Sequence, residues 1–383
     1  MKKRITALIV SLITFLGFVP CANGADLNVS AQAAVLMCAE SGEVLWQRNA
    51  GEKLSMASTT KIMTSLIALE SGIPDAEITV TKEMVSVEGT SMGLLAGDKV
   101  SLRELVYGML LQSGNDAANT VAITLGGSPE NFAAMMNERA KQIGMKNTNF
   151  VTASGLDDEE HYSTAFDMAL LACECLENPE FVRICSDKSE TVTYGNPPYR
   201  RTLTNHNKLL WSYPDAIGMK TGFTKKSGRC LVSAARRNGV TLVAVTLNAP
   251  DDWADHRAML NYGFGVCRSE LLKCDLSGIE IPVFGSEKLF VKAEIPCETV
   301  GLAGEGMKCE IMLRPYLYAP VKKGETVGKI LFSLNGRVTA EFPVVTAEEA
   351  EFFYAPETDN KPEKEEKFFI KLYRKIKEYF VQR

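Results

Sequence analysis

The chain of 383 residues is 46% hydrophobic and 23% charged, enough apolar material for a large core and an argument for two domains rather than intrinsic disorder. Its formal charge is −5, with the basic residues spread out rather than gathered into a stripe. That balance leaves no electrostatic footprint for nucleic acid.

The N-terminus, "MKKRITALIVSLITFLGFVPCANGADL", carries three basic side chains, an apolar run short of a confident membrane span, and small residues at Ala22, Gly24 and Ala25. It reads as a secretory signal over residues 1–24, cut after Gly24. A lipoprotein acylated at Cys21 is the rival, against which Pro20 stands where a small residue is wanted; an uncleaved anchor is the other alternative. Export would expose ten cysteines to oxidants, nine once Cys21 leaves. Their spacings form neither paired Cys-x-x-Cys knuckles nor a compact staple framework, so buried, reduced thiols acting as small hydrophobes are expected.

"AAVLMCAESGEVLWQRNA" follows, two strands joined at Ser41-Gly42. Next comes "LSMASTTKIMT", residues 54–64, with four hydroxyls and a lysine at the head of an apolar helical pattern. Only Ser58 and Lys61 stand three apart, about one turn, so that an amine can take a hydroxyl proton during attack on a carbonyl. Alone, this spacing is common on solvated helix faces. "SLRELVYGMLLQSGNDAANTVAITL" then combines a Ser101–Glu104 capping box with a buried stripe of Leu102, Leu105, Val106, Met109 and Leu110. The stripe breaks at Ser113-Gly114-Asn115, and a new helical pattern begins near Ala117. At such a break Ser113 can relay a proton and Asn115 can bind an amide, although a plain turn with a helix cap fits equally.

Further on, "AIGMKTGFTKKSGRCLVSAA" puts Lys220-Thr221-Gly222 at the start of the first strand of a late hairpin that turns at Asn238-Gly239. A lysine and a hydroxyl on an edge strand can hold a carboxylate, and Gly222 lets an extended peptide approach the backbone. Two lysines near one another also disfavour each other's charge, which favours a neutral, basic Lys61. Strands at both ends with helices between them predict an α+β fold, an antiparallel sheet assembled from distant segments and covered by helices, over residues 25–268. From about Cys267 the texture changes to short alternating runs, a small all-β domain over 269–350. Residues 351–383 form a charged linker and a helix with Phe369, Leu372, Tyr373, Ile376, Tyr379 and Phe380 on one stripe, flanked by Lys367, Lys371, Arg374, Lys375 and Lys377. That profile suits a membrane interface.

Ser-x-x-Lys, Ser-x-Asn and Lys-Thr-Gly in this order make up the set shared by penicillin-binding proteins and active-site-serine β-lactamases. With "SGNDAAN", "ASGLDDEEHYSTAFDMALLA", "TNHNKLLW", "GMKTGFT" and "MLNYGFG", the chain resembles the D-alanyl-D-alanine carboxypeptidases among the low-molecular-mass penicillin-binding proteins over nearly its whole length. "DDWADH", residues 251–256, is similar to their sporulation-associated branch. The resemblance implies a β-lactamase/transpeptidase-like catalytic fold, no cofactor and no metal. It implies Ser58 as nucleophile, Lys61 as proton acceptor, Ser113 as proton donor to the leaving D-alanine, and Asn115 orienting the substrate and Lys61. Lys220 and Thr221 would hold the terminal carboxylate, and the backbone N–H groups of Ser58 and Phe223 the oxyanion. The implied substrate is a peptidoglycan stem peptide ending in D-Ala-D-Ala, with β-lactams as inhibitors, on the outer face of the cytoplasmic membrane.

Four rival readings remain. Gly89-Thr90-Ser91-Met92-Gly93 fits a nucleophile elbow, with His256 completing a triad, but its flanks are polar or too short for the strand and helix an elbow needs. A class A β-lactamase needs a loop glutamate followed by Leu-Asn, which "CLENPEFVRI" lacks. "LDDEEH" and "DDWADH" could be metal sites or solvated acids, and the chain has only three histidines. A catalytically inactive, wall-associated scaffold would keep the fold, and the intact motifs argue against it.

Overall fold

The computed structural model describes residues 27–296, 300–304, 306–334 and 336–353. The leader, the C-terminal amphipathic segment, Cys21 and Cys297 lie outside the described residues. Strands β1 (Ala33–Cys38) and β2 (Val44–Arg48) form the first hairpin. Gly42 turns it at a φ of 68°, a conformation that costs glycine nothing.

A 3-10 turn, Ala57–Thr60, leads directly into α1 (Lys61–Glu70), which is buried from Lys61 to Ala68 and so runs through the core rather than over it. The short pair β3 (Glu77–Thr79) and β4 (Lys99–Ser101) precedes α2 (Leu102–Leu110), whose capping box is present as the sequence predicts. Then come α3 (Asn115–Gly126), α4 (Pro129–Ile143), α5 (Ala165–Leu176) and α6 (Pro179–Ser186). The hairpin β5 (Ser189–Gly195) and β6 (Pro198–Thr204) and the single turn α7 (Leu209–Ser212) complete the insertion between the halves of the main sheet.

The sheet closes with β7 (Ala216–Thr224), β8 (Gly228–Arg237) and β9 (Val240–Leu247), in the order β2-β1-β9-β8-β7, every pairing antiparallel. Asn238 and Gly239 both take positive φ at the β8–β9 turn, the geometry that matches strand twist in a two-residue hairpin. Side chains alternate between two cores. Val35, Val232 and Val245 face the helices α1 to α6, whereas Leu36, Leu231 and Ala244 face α8 (Asp252–Val266). Burial on both faces explains why these strands read as continuous apolar runs.

One placement differs from expectation. Lys220-Thr221-Gly222 lies well inside β7, a strand of its own at the sheet edge, joined to β8 by a turn in which Thr224 and Ser227 exchange hydrogen bonds. The polar motif hides the strand because its side chains answer to the site, not to a period-two core.

Beyond α8, β10 (Arg268–Leu271) pairs with β13 (Val300–Ala303). A six-stranded sheet contains β11 (Glu280–Phe284), β12 (Phe290–Glu294), β14 (Lys308–Leu313), β15 (Leu317–Tyr318), β16 (Thr326–Leu334) and β17 (Arg337–Thr346), in the order β14-β16-β17-β12-β11-β15. Its own core includes Ile281, Val291, Val327, Ile330 and Val344, while Leu302 and Leu334 join the core under α8.

Candidate active site

Ser58 sits in the 3-10 turn, just after Ala57, which is held at a φ of 48°. That left-handed backbone costs an L-residue roughly 1–2 kcal/mol, so the turn persists only because its surroundings fix it. One surrounding is β7. A Cβ on Gly222 would lie 3.0 Å from both the Met56 carbonyl oxygen and the Ser58 nitrogen. The bare Cα of Gly222 therefore lets the edge strand lie against the serine turn, a backbone approach different from the substrate approach read from the sequence.

Lys61 is fully buried at the first position of α1. Its Nζ stands 2.9 Å from Ser58 Oγ, 2.7 Å from Asn115 Oδ1 and 2.6 Å from the Ser154 carbonyl oxygen. The orientation of the Asn115 amide follows from its other end, where Nδ2 donates to the Glu88 carbonyl at 2.7 Å. Two of the three neighbours can only accept, so they take N–H bonds. The third direction points at Ser58. Burial pushes the Lys61 pKa well below the lysine range, the charge of Lys220 pushes it further the same way, and Asp116 opposes both. The sequence argument credited the second lysine; desolvation is the larger cause. A free amine in this position keeps two N–H bonds on pure acceptors and aims its lone pair at the serine hydroxyl.

Ser113 occupies the break between α2 and α3 at a φ of 61°, and Asn115 opens α3 two residues earlier than the periodicity implies. Ser58, Ser113, Thr221, Gly222 and Phe223 line one cleft of about 340 Å³. Lys220, between the cleft residues of β7 and the strand interior, is almost wholly buried; it donates from Nζ to the Thr221 carbonyl at 2.8 Å, and burial holds its pKa down to about 7. Phe223 is 66% exposed at the cleft mouth.

Three contributors escape a sequence reading. Asp116 accepts from Ser91 Oγ at 2.6 Å and from the backbone N–H groups of Met92, Gly93 and Leu94. It anchors the loop whose Thr90 carbonyl accepts from the Asn115 N–H at 2.7 Å. Ser154 contributes only a carbonyl oxygen, a group without sequence signature. Arg229, the cross-strand neighbour of Phe223, lines the cleft beside Asp252 and Trp253. Its guanidinium donates to Asp252 at 2.8 Å and lies 5.7 Å from the Trp253 ring, while its buried Nε meets no acceptor among the described residues.

The rival triad does not assemble. The Ser91 hydroxyl is committed to Asp116, and His256 is buried between Ser233 Oγ at 2.5 Å and Thr246 Oγ1 at 2.9 Å, its pKa pushed down to about 3 by burial. Two of the three acids of "DDWADH" are committed too: Asp252 to Arg229, and Asp255 to the Ser30 hydroxyl and the N–H groups of Ser30 and Ala31.

A serine one turn from a desolvated lysine, in a cleft walled by a helix break and an edge strand under an antiparallel sheet, defines an active-site-serine acyl-transfer enzyme. Comparison with known proteins narrows the class. Residues 21–251 match the D-alanyl-D-alanine carboxypeptidase family, and residues 288–351 match the C-terminal domain of penicillin-binding protein 5. The chain is 31% identical to the D-alanyl-D-alanine carboxypeptidase DacF of Bacillus subtilis, over 91% of this chain and 95% of that one. It is 36% identical to DacC of Escherichia coli, over 85% of each. The crystal structure of penicillin-binding protein 5 from Haemophilus influenzae, 28% identical, superposes with a TM-score of 0.59 over 84% of this chain and 98% of that one. The chain belongs to the D-alanyl-D-alanine carboxypeptidase family of serine peptidases.

Proposed function

We propose that this carboxypeptidase removes the terminal D-alanine of peptidoglycan stem pentapeptides through an acyl-enzyme on Ser58, with the residues of the cleft in the following roles. The observation that carries the reading is the buried Lys61 amine, held by two acceptors with its third direction on Ser58 Oγ. Lys61 Nζ takes the hydroxyl proton as Ser58 Oγ bonds to the carbonyl carbon of the penultimate residue. The negative charge that develops on the carbonyl oxygen is met by the backbone N–H groups of Ser58 and Phe223. Ser113 passes a proton to the departing amine, D-alanine leaves, and water then cleaves the ester.

Thr221 binds the terminal carboxylate, with the Lys220 charge behind it. Arg229 supplies a second, permanent cation at the rim. Asn115 fixes Lys61 and the substrate amide together, and Gly222 keeps the strand against the serine turn. A β-lactam enters by the same first step and stays as a slow acyl-enzyme.

Residues 1–24 act as an export signal, 25–268 as the catalytic domain and 269–350 as a spacer. Residues 351–383 anchor the enzyme peripherally to the outer face of the cytoplasmic membrane. No helix among the described residues is long and apolar enough to cross a membrane.

Protein lacking the C-terminal segment is given a pentapeptide ending in two D-alanines and, separately, a labelled penicillin. Release of free D-alanine and a penicillin adduct on the Ser58 peptide are expected. An adduct on Ser91, or folded protein that binds penicillin without releasing D-alanine, rejects the assignment in favour of a different nucleophile or an inactive scaffold.

A further inference from the structure

The eight described cysteines carry no disulfide, and they divide by surroundings. Cys175, Cys185 and Cys230 are fully buried in the catalytic core and pack as small hydrophobes, as the sequence led one to expect. Cys309 does not fit that description. It is the second residue of β14 and is exposed, as is most of that strand, which pairs with β16 on one side and forms a free edge of the sheet on the other. Ile311 and Met312 of the same strand are also exposed. An open edge with apolar side chains is a template for unwanted pairing, and proteins usually cover or tie such an edge.

A partner for such a tie stands beside it. Cys274 lies in the segment between β10 and β11, anchored on either side by Leu272 and Leu276 in the β-domain core. Its Sγ stands 3.2 Å from Cys309 Sγ. Backbone hydrogen bonding of β14 to β16, with Cys309 opposite Phe332, fixes the other partner. Both chains are therefore held with the two sulfurs in contact, a short approach from the bonding distance of about 2.05 Å.

We infer that Cys274 and Cys309 are a disulfide-forming pair whose closure ties the β14 edge strand to the segment entering the β domain. The exchange begins at Cys309, the accessible sulfur. Its thiolate attacks one sulfur of a disulfide oxidant, either a small-molecule disulfide or an oxidoreductase carrying one, and expels the other sulfur as a thiol. Cys274 then attacks the sulfur of Cys309 and releases the second thiol, so one oxidant disulfide is reduced for each protein disulfide made. The order suits the two environments, because burial pushes the Cys274 pKa up to about 11 and leaves it the slower thiolate.

Cys38 and Cys267 also share a hydrogen bond at the start of this junction, so intact mass alone does not identify a link. Full-length protein is equilibrated in glutathione mixtures from fully reduced to fully oxidised, quenched with an alkylating agent and mapped as peptides without reduction. A cross-linked Cys274–Cys309 peptide is expected in the oxidised samples and absent in Cys309→Ser. The linked protein should also melt about 5 °C or more above its reduced form, a difference that Cys309→Ser removes. Alkylation of both thiols in oxidising mixtures, glutathione left on Cys309 with Cys274 free, or linked protein that melts like the reduced form overturns the inference. None of these readouts depends on carboxypeptidase activity.

Discussion

Lys61 and Lys220 are two of the largest fully buried side chains in the protein, and both carry amines. For Lys220 the folded pKa, about 7, lies below its ordinary value of 10.5. Between those values the unfolded chain binds the extra proton, so stability rises with pH across that window, and the cost of burying the amine is fully present only below about 7. Lys220→Met should therefore stabilise the fold at pH 7, by roughly 1–4 kcal/mol. Its advantage should fade as pH approaches 10.5. Thermal melts of both proteins at three pH values test this, and a gap independent of pH contradicts it. Arg229 offers a complementary test. Arg229→Leu should raise KM for a substrate with a free terminal carboxylate and also slow acylation by penicillin, which carries a carboxylate of its own into the same cleft. An unchanged KM removes Arg229 from the carboxylate site. Ser58 and Lys61 were legible in the sequence because their spacing is local. Arg229 was not, because its significance comes from pairing with β7 and from an aspartate 23 positions away.

Among the elements, the turn into α3 and the loop above it act as one unit through Asp116. Its carboxylate satisfies four backbone N–H groups and a hydroxyl, and its charge opposes the lowering of the Lys61 pKa by burial and Lys220. Asp116→Ala leaves those donors without their acceptor and should cost about 2–4 kcal/mol in stability. With that charge gone, Lys61 loses its proton at lower pH. The acid limb of the pH profile for penicillin acylation should consequently move to lower pH, even as the rate falls. A limb moving upward would show that Asp116 acts on Lys61 differently. The capping box of α2 and both glycine-turned hairpins could be read from the sequence, since each rests on contacts within a few residues. The early start of α3 and the true extent of β7 could not. In both, polar side chains face the cleft and interrupt the apolar period by which an element is recognised.

At the scale of the whole molecule, the catalytic sheet and the β domain share core. Leu302 and Leu334 pack with Leu36, Leu242 and Met259 beneath α8. Leu334→Ala should therefore destabilise the catalytic domain by about 2–4 kcal/mol although the residue belongs to the other sheet. Scanning calorimetry checks this, and a loss confined to the β-domain transition argues against shared packing. Sequence texture revealed the small β domain but not this seam, because alternation tells which face is apolar and not what covers it. The desolvated lysines and the left-handed Ala57 bear also on descent. An aliphatic residue of similar length in place of Lys220 should give a sturdier, inert protein, whereas one in place of Lys61 would leave two buried acceptors unpaired, so relaxed selection would erode the chemistry at Lys220 first. Hardy, silent descendants of this lineage should retain the sheet and lack the Lys220 amine.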